Sequence, residues 1–170
     1  GGSSGVPKLA GFTYRDYRRQ MQAAAAGMFA AGLDPAHDKV LNLMYAGNLY
    51  GGLLSFFTLL EMLEVTHLPM GGPHDDDYHE IARTIVNQGV TTLIGMPSTL
   101  YQLFTREEAI LRDYGGIQKL LLGGEHMGVA QRDYIHGFGV KTIRSALYGS
   151  VDAGPLGHAC THCPDGVFHL

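Results

Sequence analysis

Short apolar runs alternate with helix-patterned stretches along the whole chain, and this restricts the fold more tightly than any other feature. Val40 to Tyr45, Val65 to Met70, Val90 to Ile94, Leu120 to Leu122 and Val140 to Leu147 read as strands, with a last short one at Val167 to Leu170. Helical patterns fall between them. Thr13 opens the first, with Asp16 three residues on as a capping-box acid, and it runs to about Ala31 before Gly32 and Asp34–Pro35 stop it. Leu53 to Leu63 is apolar nearly all round and reads as a buried helix. Asp75 to Asp77 put carboxylates at the start of a third helix that keeps Ile81, Ile85 and Val86 on one face. Pro97 sits where an N1 proline would start a fourth.

Strands recurring every ~25 residues with helices between them are βαβ units, and right-handed crossovers make their sheet mostly parallel. The expected fold is therefore α/β, a mostly parallel βαβ sheet flanked by helices. A length of 170 residues suits one such domain. An apolar fraction of 45% with a net charge of -4 excludes a disordered chain and gives no reason to expect nucleic acid. Arg15, Arg18 and Arg19 read as a solvated helix face. Val40 to Leu60 has no charged residue, yet Asn42, Gly47, Asn48, Gly51 and Gly52 interrupt it, so a strand, a loop and a helix fit better than a membrane span. Gly1 to Lys8 is not a secretory h-region, and two cysteines are too few for a disulfide framework; a reducing cytoplasm is the expected setting.

In parallel sheets ligands sit beyond the carboxyl ends of the strands, so the loops that follow strands are the places for chemistry. Gly1-Gly2-Ser3-Ser4-Gly5-Val6-Pro7-Lys8 combines glycines that let backbone N–H groups approach an anion with two hydroxyls and a lysine charge. It lacks the Gly-Lys-Ser/Thr of a Walker loop, and a flexible terminus would read the same way. Leu122-Gly123-Gly124-Glu125-His126 follows an apolar strand, as a nucleotide loop or a plain strand-to-helix turn would. Tyr148-Gly149-Ser150-Val151-Asp152-Ala153-Gly154 offers a ring that can stack on a flat base and a carboxylate suited to a hard cation such as Mg²⁺. In the tail, Cys160-Thr161-His162-Cys163 beside His158 has zinc-type spacing. A tetrahedral site would take Cys160, Cys163, His158 and a distant residue such as His136; two free thiols in a surface loop are the other reading.

A phosphate-type loop, a Gly-Gly-Glu strand end and a Tyr-Gly-x-x-acid loop, in that order, resemble the adenylate-forming superfamily. Its phosphate loop reads Ser/Thr-Gly-Ser/Thr-Ser/Thr-Gly-x-Pro-Lys, and Gly2 to Lys8 matches every fixed position after the first. Tyr45 to Gly52 is similar to an aromatic–glycine segment of phenylacetate–CoA ligases, and Val65 to Gly72, Thr91 to Ser98 and Gly123 to Met127 follow in that family's order.

The resemblance covers essentially the whole chain and implies an internal piece of the large N-terminal domain, with residues 1–170 as one α/β fragment. It implies an AMP-forming ligase that activates an aryl or arylacetic acid with ATP and Mg²⁺ and passes the acyl group to CoA. An acyl-protein synthetase and a non-catalytic zinc-holding scaffold are the alternatives. The partners would be a small carboxylic acid and a nucleotide, without nucleic acid or membrane; self-association into a homo-oligomer stays open. Ser3, Ser4, Gly5 and the catalytic Lys8 would steer the β- and γ-phosphates. Gly123, Gly124 and Glu125 would line the adenine side with Tyr148 stacked on the ring, beside Gly149 and Ser150. Asp152 would hold Mg²⁺, and Tyr50, Gly51, Pro97 and Ser98 would lie near the carboxylate substrate. Two departures stand out: Val151 replaces the usual Thr or Ser, and Asp152 is one methylene shorter than the usual Glu.

Overall fold

The structure is a computed structural model that describes residues 9–47, 49–150 and 152–170. Five strands form one parallel sheet in the order β2-β1-β3-β4-β5: β1 (Lys39–Asn42), β2 (Thr66–Pro69), β3 (Thr92–Gly95), β4 (Lys119–Leu122) and β5 (Thr142–Ser145). Among the described residues α1 (Tyr14–Ala30) precedes β1, and α2 (Gly52–Met62), α3 (Tyr78–Gln88), α4 (Pro97–Arg106), α5 (Glu108–Tyr114) and α6 (Val129–His136) connect the strands. A separate antiparallel hairpin, β6 (Leu147–Ser150) and β7 (Gly154–His158), follows β5. The α/β parallel-sheet expectation holds.

Strand periodicity sorts the core into two layers. Leu41, Leu93, Leu120 and Leu122 point to one face, where α3 supplies Ile81 and Ile85, α4 supplies Leu103 and Phe104, and α6 supplies Ile135. Val40, Ile94 and Leu121 point to the other face, under Ala24 and Met28 of α1 and Leu59 and Leu60 of α2. The hairpin packs on α1. There Gly27 lets it approach, since a Cβ on that residue would lie 2.6 Å from His158 Cβ.

The helix starts follow their sequence signals. Thr13 caps α1, accepting from the Asp16 N–H at 3.1 Å while its hydroxyl donates to the Asp16 carboxylate at 2.6 Å. Replacing Thr13 with Ala should cost about 1 kcal/mol, read as a lower urea midpoint at unchanged slope. Pro97 is the first residue of α4.

Five expectations need correcting. Leu54 and Phe57 are 62% and 44% exposed, so α2 buries one stripe rather than its whole circumference. Val86 is exposed because it sits well round α3 from Ile81 and Ile85. The expected strand from Val40 to Tyr45 ends at Asn42, and that from Val140 to Leu147 divides at Ala146, where the chain leaves the sheet for the hairpin. Val167 to Leu170 makes only an isolated bridge, His169 with His158. Val40 to Leu60 divides into β1, a loop and α2, and among the described residues no helix is long and apolar enough to cross a membrane.

Candidate functional site

All five parallel strands end on one edge of the sheet, and the loops leaving that edge carry the residues with chemistry. After β4 come Gly123, Gly124 and Glu125; after β5 come Leu147, Tyr148 and Gly149. They meet. A cleft of ≈ 430 Å³ is lined by Gly123, Gly124, Glu125, Tyr148, Gly149 and Phe168, among others. Gly124 has φ +81°, a left-handed conformation that places its backbone at the cleft without a side chain in the way. Tyr148 is 52% exposed and lies against Phe168, with ring centroids 5.4 Å apart. The result is a supported aromatic surface opposite a glycine backbone, a geometry that accepts a flat ring.

Glu125 joins this cleft to a second patch. Its carboxylate accepts the Ser98 N–H at 3.1 Å, at the N-terminus of α4, where the helix dipole favours a negative group. Tyr50 lies close enough to feel that charge. Burial, and then Glu125, hold its phenol above the ordinary tyrosine range. Gly47 and Tyr50 bridge each other, with Tyr50 N–H donating to Gly47 O at 2.8 Å, and Tyr45 donates its hydroxyl to Pro73 O at 3.1 Å. Leu49, at φ +62° and 86% exposed, holds a backbone conformation that costs a non-glycine residue roughly 1–3 kcal/mol. Gly51 caps α2. Ser98, next to Pro97, is thus tied to the Gly123–Glu125 loop.

Other sites named from the sequence fall elsewhere. Ser150 and Asp152 are exposed and do not line the cleft; the Ser150 hydroxyl accepts the Ala153 N–H at 3.2 Å. Ser3, Ser4, Gly5 and Lys8 lie outside the described residues, as do Asn48 and Val151. Tyr148 to Ser150 belong to a strand rather than a loop.

The sequence reading missed Phe168, Gly166, Ser145 and Leu147 as cleft residues. Phe168 was visible only as part of an apolar run at the end of the chain. A second hollow, of ≈ 350 Å³, is lined by His79, Arg83, Val86, Asn87 and Ile110. All five are helix residues and none follows a strand, so the cleft at the strand ends is the better candidate.

In the tail, Cys160 and Cys163 are free thiols with sulfurs 3.3 Å apart, and Cys163 Sγ lies 3.5 Å from His169 Nε2. Hydrogen bonds from His169, then from Cys163 and the backbone of His162, bring the Cys160 thiol down to about 6. The bond with Cys160 and, after it, burial push Cys163 up. Neither histidine named from the sequence is among the three side chains whose ligand atoms converge. His136 Nδ1 donates to Val140 O at 2.7 Å, and the His158 ring stacks on His169 at 5.3 Å between centroids. Among the described residues the side chains that converge are Cys160, Cys163 and His169.

No family model matches the chain, and no curated protein matches it. Solved structures do. A 2-hydroxyisobutyryl-CoA ligase in complex with 2-HIB-AMP and CoA, in its thioesterification state, superposes with a TM-score of 0.68 at 20% identity, over 94% of this chain and 36% of that one. An open conformation of that ligase gives 0.67 at 22% identity, over 83% and 34%. The inhibitor-bound N-terminal domain of FACL13 from Mycobacterium tuberculosis gives 0.56 at 18% identity, over 75% and 31%. The chain therefore spans about a third of the length of the structures it matches. Its parallel sheet and flanking helices match the fold of the N-terminal domain of adenylate-forming enzymes, the 2-hydroxyisobutyryl-CoA ligase being one such structural neighbour.

Proposed function

We propose that this chain is part of an ATP-dependent acid–CoA ligase that works through an acyl-adenylate. The observation that carries the reading is the convergence of Gly123, Gly124 and Glu125 with Tyr148 and Gly149 around one cleft at the carboxyl edge of a parallel sheet. In the first step a substrate carboxylate oxygen attacks the α-phosphorus of ATP, and the bond to the bridging oxygen breaks, giving acyl-adenylate and pyrophosphate. In the second, CoA thiolate attacks the acyl carbon and AMP leaves.

The residues divide that work. Adenine lies on the Tyr148 ring, edged by Gly123, Gly124 and Glu125, with Gly149 and Ser150 beside the ribose–phosphate. Ser3, Ser4, Gly5 and Lys8 take the β- and γ-phosphates, where donors and a lysine offset charge as pyrophosphate separates. Mg²⁺ needs only one or two carboxylates when phosphates complete its shell. Asp152 is exposed and makes no ion pair among the described residues, so it fits as one such ligand. Bound there, the ion would neutralise phosphate charge. The acyl group lies toward Tyr50, Gly51, Pro97 and Ser98. The finer choice of an aryl or arylacetic acid is supported by the aromatic–glycine segment Tyr45 to Gly52 and its likeness to phenylacetate–CoA ligases. Free cysteines suit a cytoplasmic setting.

Titrating the chain with AMP and ATP tests the cleft. Tyr148→Ala should weaken AMP binding about tenfold or more, because base–aromatic stacking is worth ~1–3 kcal/mol. Pyrophosphate release by the longer protein, screened over aliphatic, benzoic and arylacetic acids with and without CoA, tests substrate and acceptor. AMP binding that is indifferent to Tyr148, or pyrophosphate release with no acid, would overturn the proposal.

A further inference from the structure

The geometry points to a zinc site made by Cys160 Sγ, Cys163 Sγ and His169 Nε2, which we infer clips the tail of the chain against the wall of the cleft. The three ligand atoms lie within 4.8 Å of one another. With Zn–S of ~2.3 Å and Zn–N of ~2.05 Å, a tetrahedral ion needs roughly 3.8 Å between two sulfurs and roughly 3.6 Å between sulfur and nitrogen. The observed separations are 3.3 Å and 3.5 Å, so a shift of a few tenths of an ångström in a surface turn seats the ion. Two thiolates with one imidazole form a soft and borderline donor set that selects zinc over magnesium or calcium.

The surroundings suit a metal as well. Cys163 N–H donates to Cys160 O at 3.2 Å, closing a tight turn that turns both side chains the same way. Arg144 donates through Nη1 to the carbonyls of Cys160 and Cys163, fixing the turn and placing positive charge beside two thiolates. His169 is exposed and both cysteines are half-buried, so solvent water can supply a fourth ligand.

The consequence for the cleft follows from connectivity. His169 pairs with His158, each N–H donating to the other's carbonyl at 2.9 Å, and the residue before it, Phe168, backs Tyr148. An ion held by His169 and the Cys-x-x-Cys turn therefore fixes the segment that carries Phe168. This second step rests on reading the cleft as functional, whereas metal binding does not.

Chelator-stripped chain should take up one Zn²⁺ per molecule, and Co²⁺ in its place should show thiolate-to-metal charge transfer and tetrahedral d–d bands. Cys160→Ser, Cys163→Ser and His169→Ala should each weaken binding at least ~100-fold, since loss of outer partners alone costs roughly 10–100-fold. His136→Ala and His158→Ala should retain it. Zinc should also slow amide exchange in peptides containing Phe168, a readout that needs no nucleotide. A cobalt spectrum of the unaltered reduced chain without thiolate charge transfer overturns the site, whatever the variants do. Binding that survives loss of His169 or depends on His136 overturns the ligand set. Unchanged exchange at Phe168 on metal loading overturns the clip while leaving the ligase reading untouched.

Discussion

Lys119→Met is expected to lower the unfolding free energy by about 3–5 kcal/mol, because it strands a carboxylate inside the protein. Asp38 has a side chain only 4% exposed. It accepts the Asp34 N–H at 2.7 Å and a Lys119 Nζ hydrogen at 2.8 Å, and the same ammonium donates to Gly32 O at 2.9 Å. Lys119 begins β4, so this cluster ties the α1–β1 connection to the sheet at its amino edge, opposite the strand ends that carry the cleft. Methionine keeps most of the stem volume but removes the only cation paired with Asp38 among the described residues. The double variant Asp38→Leu/Lys119→Met should recover most of the loss, since a buried pair replaced whole is often neutral or stabilising. Urea unfolding of the four proteins measures the coupling. A single-variant loss below ~1 kcal/mol would show that water already screens the pair. AMP affinity should be unaffected, which separates this effect from those at the cleft.

Where an interaction is local in sequence, the chain could be read directly. Thr13 with Asp16 announces α1, Pro97 announces α4, and the two-residue period of Leu120 to Leu122 assigns alternate side chains to the two faces. The Gly-Gly-Glu stretch was legible as a strand-end loop, since glycines in that place are independent of distant partners, whereas Tyr148 to Ser150, read as a loop, form β6. What was not legible depends on return of the chain. Leu54 and Phe57 look like core because their residue types are apolar, but the described residues leave them 62% and 44% exposed. The β6–β7 hairpin was missed because Gly154 and Pro155 weaken a strand reading, and pairing with Tyr148 to Ser150 supplies what local propensity withholds. His169 was missed for the same reason: its position beside Cys163 comes from the bridge to His158, which no local pattern encodes. Spacing alone, Cys-x-x-Cys followed six residues on by a histidine, offered a clue.

Arg132 is the second place where one substitution should reach far. Its guanidinium joins three segments: Nε donates to Met127 O at 2.9 Å, Nη1 to Ile143 O at 2.8 Å, and Nη2 to the Asp165 carboxylate. The other oxygen of Asp165 accepts the Ser145 N–H at 2.7 Å. Ser145 and Gly166 both line the cleft, so this pair pins the tail to the end of β5 beside the proposed adenine site. The side chains are 15% and 22% exposed, which discounts the full cost of breaking a buried pair; Arg132→Ala should therefore lose about 2–3 kcal/mol. Arg132→Lys should rescue little, because an ammonium cannot reproduce a planar fork directed at three acceptors. Amide exchange in the peptide from Pro164 to Leu170 should rise in Arg132→Ala more than exchange in β3 or β4, since the tail is released before the sheet opens. AMP affinity should fall with it, as Phe168 loses the anchor that keeps it behind Tyr148. Full rescue by lysine would mean that net charge rather than geometry holds the tail. Uniform exchange across the chain would mean that Arg132 supports the whole fold rather than this wall of the cleft.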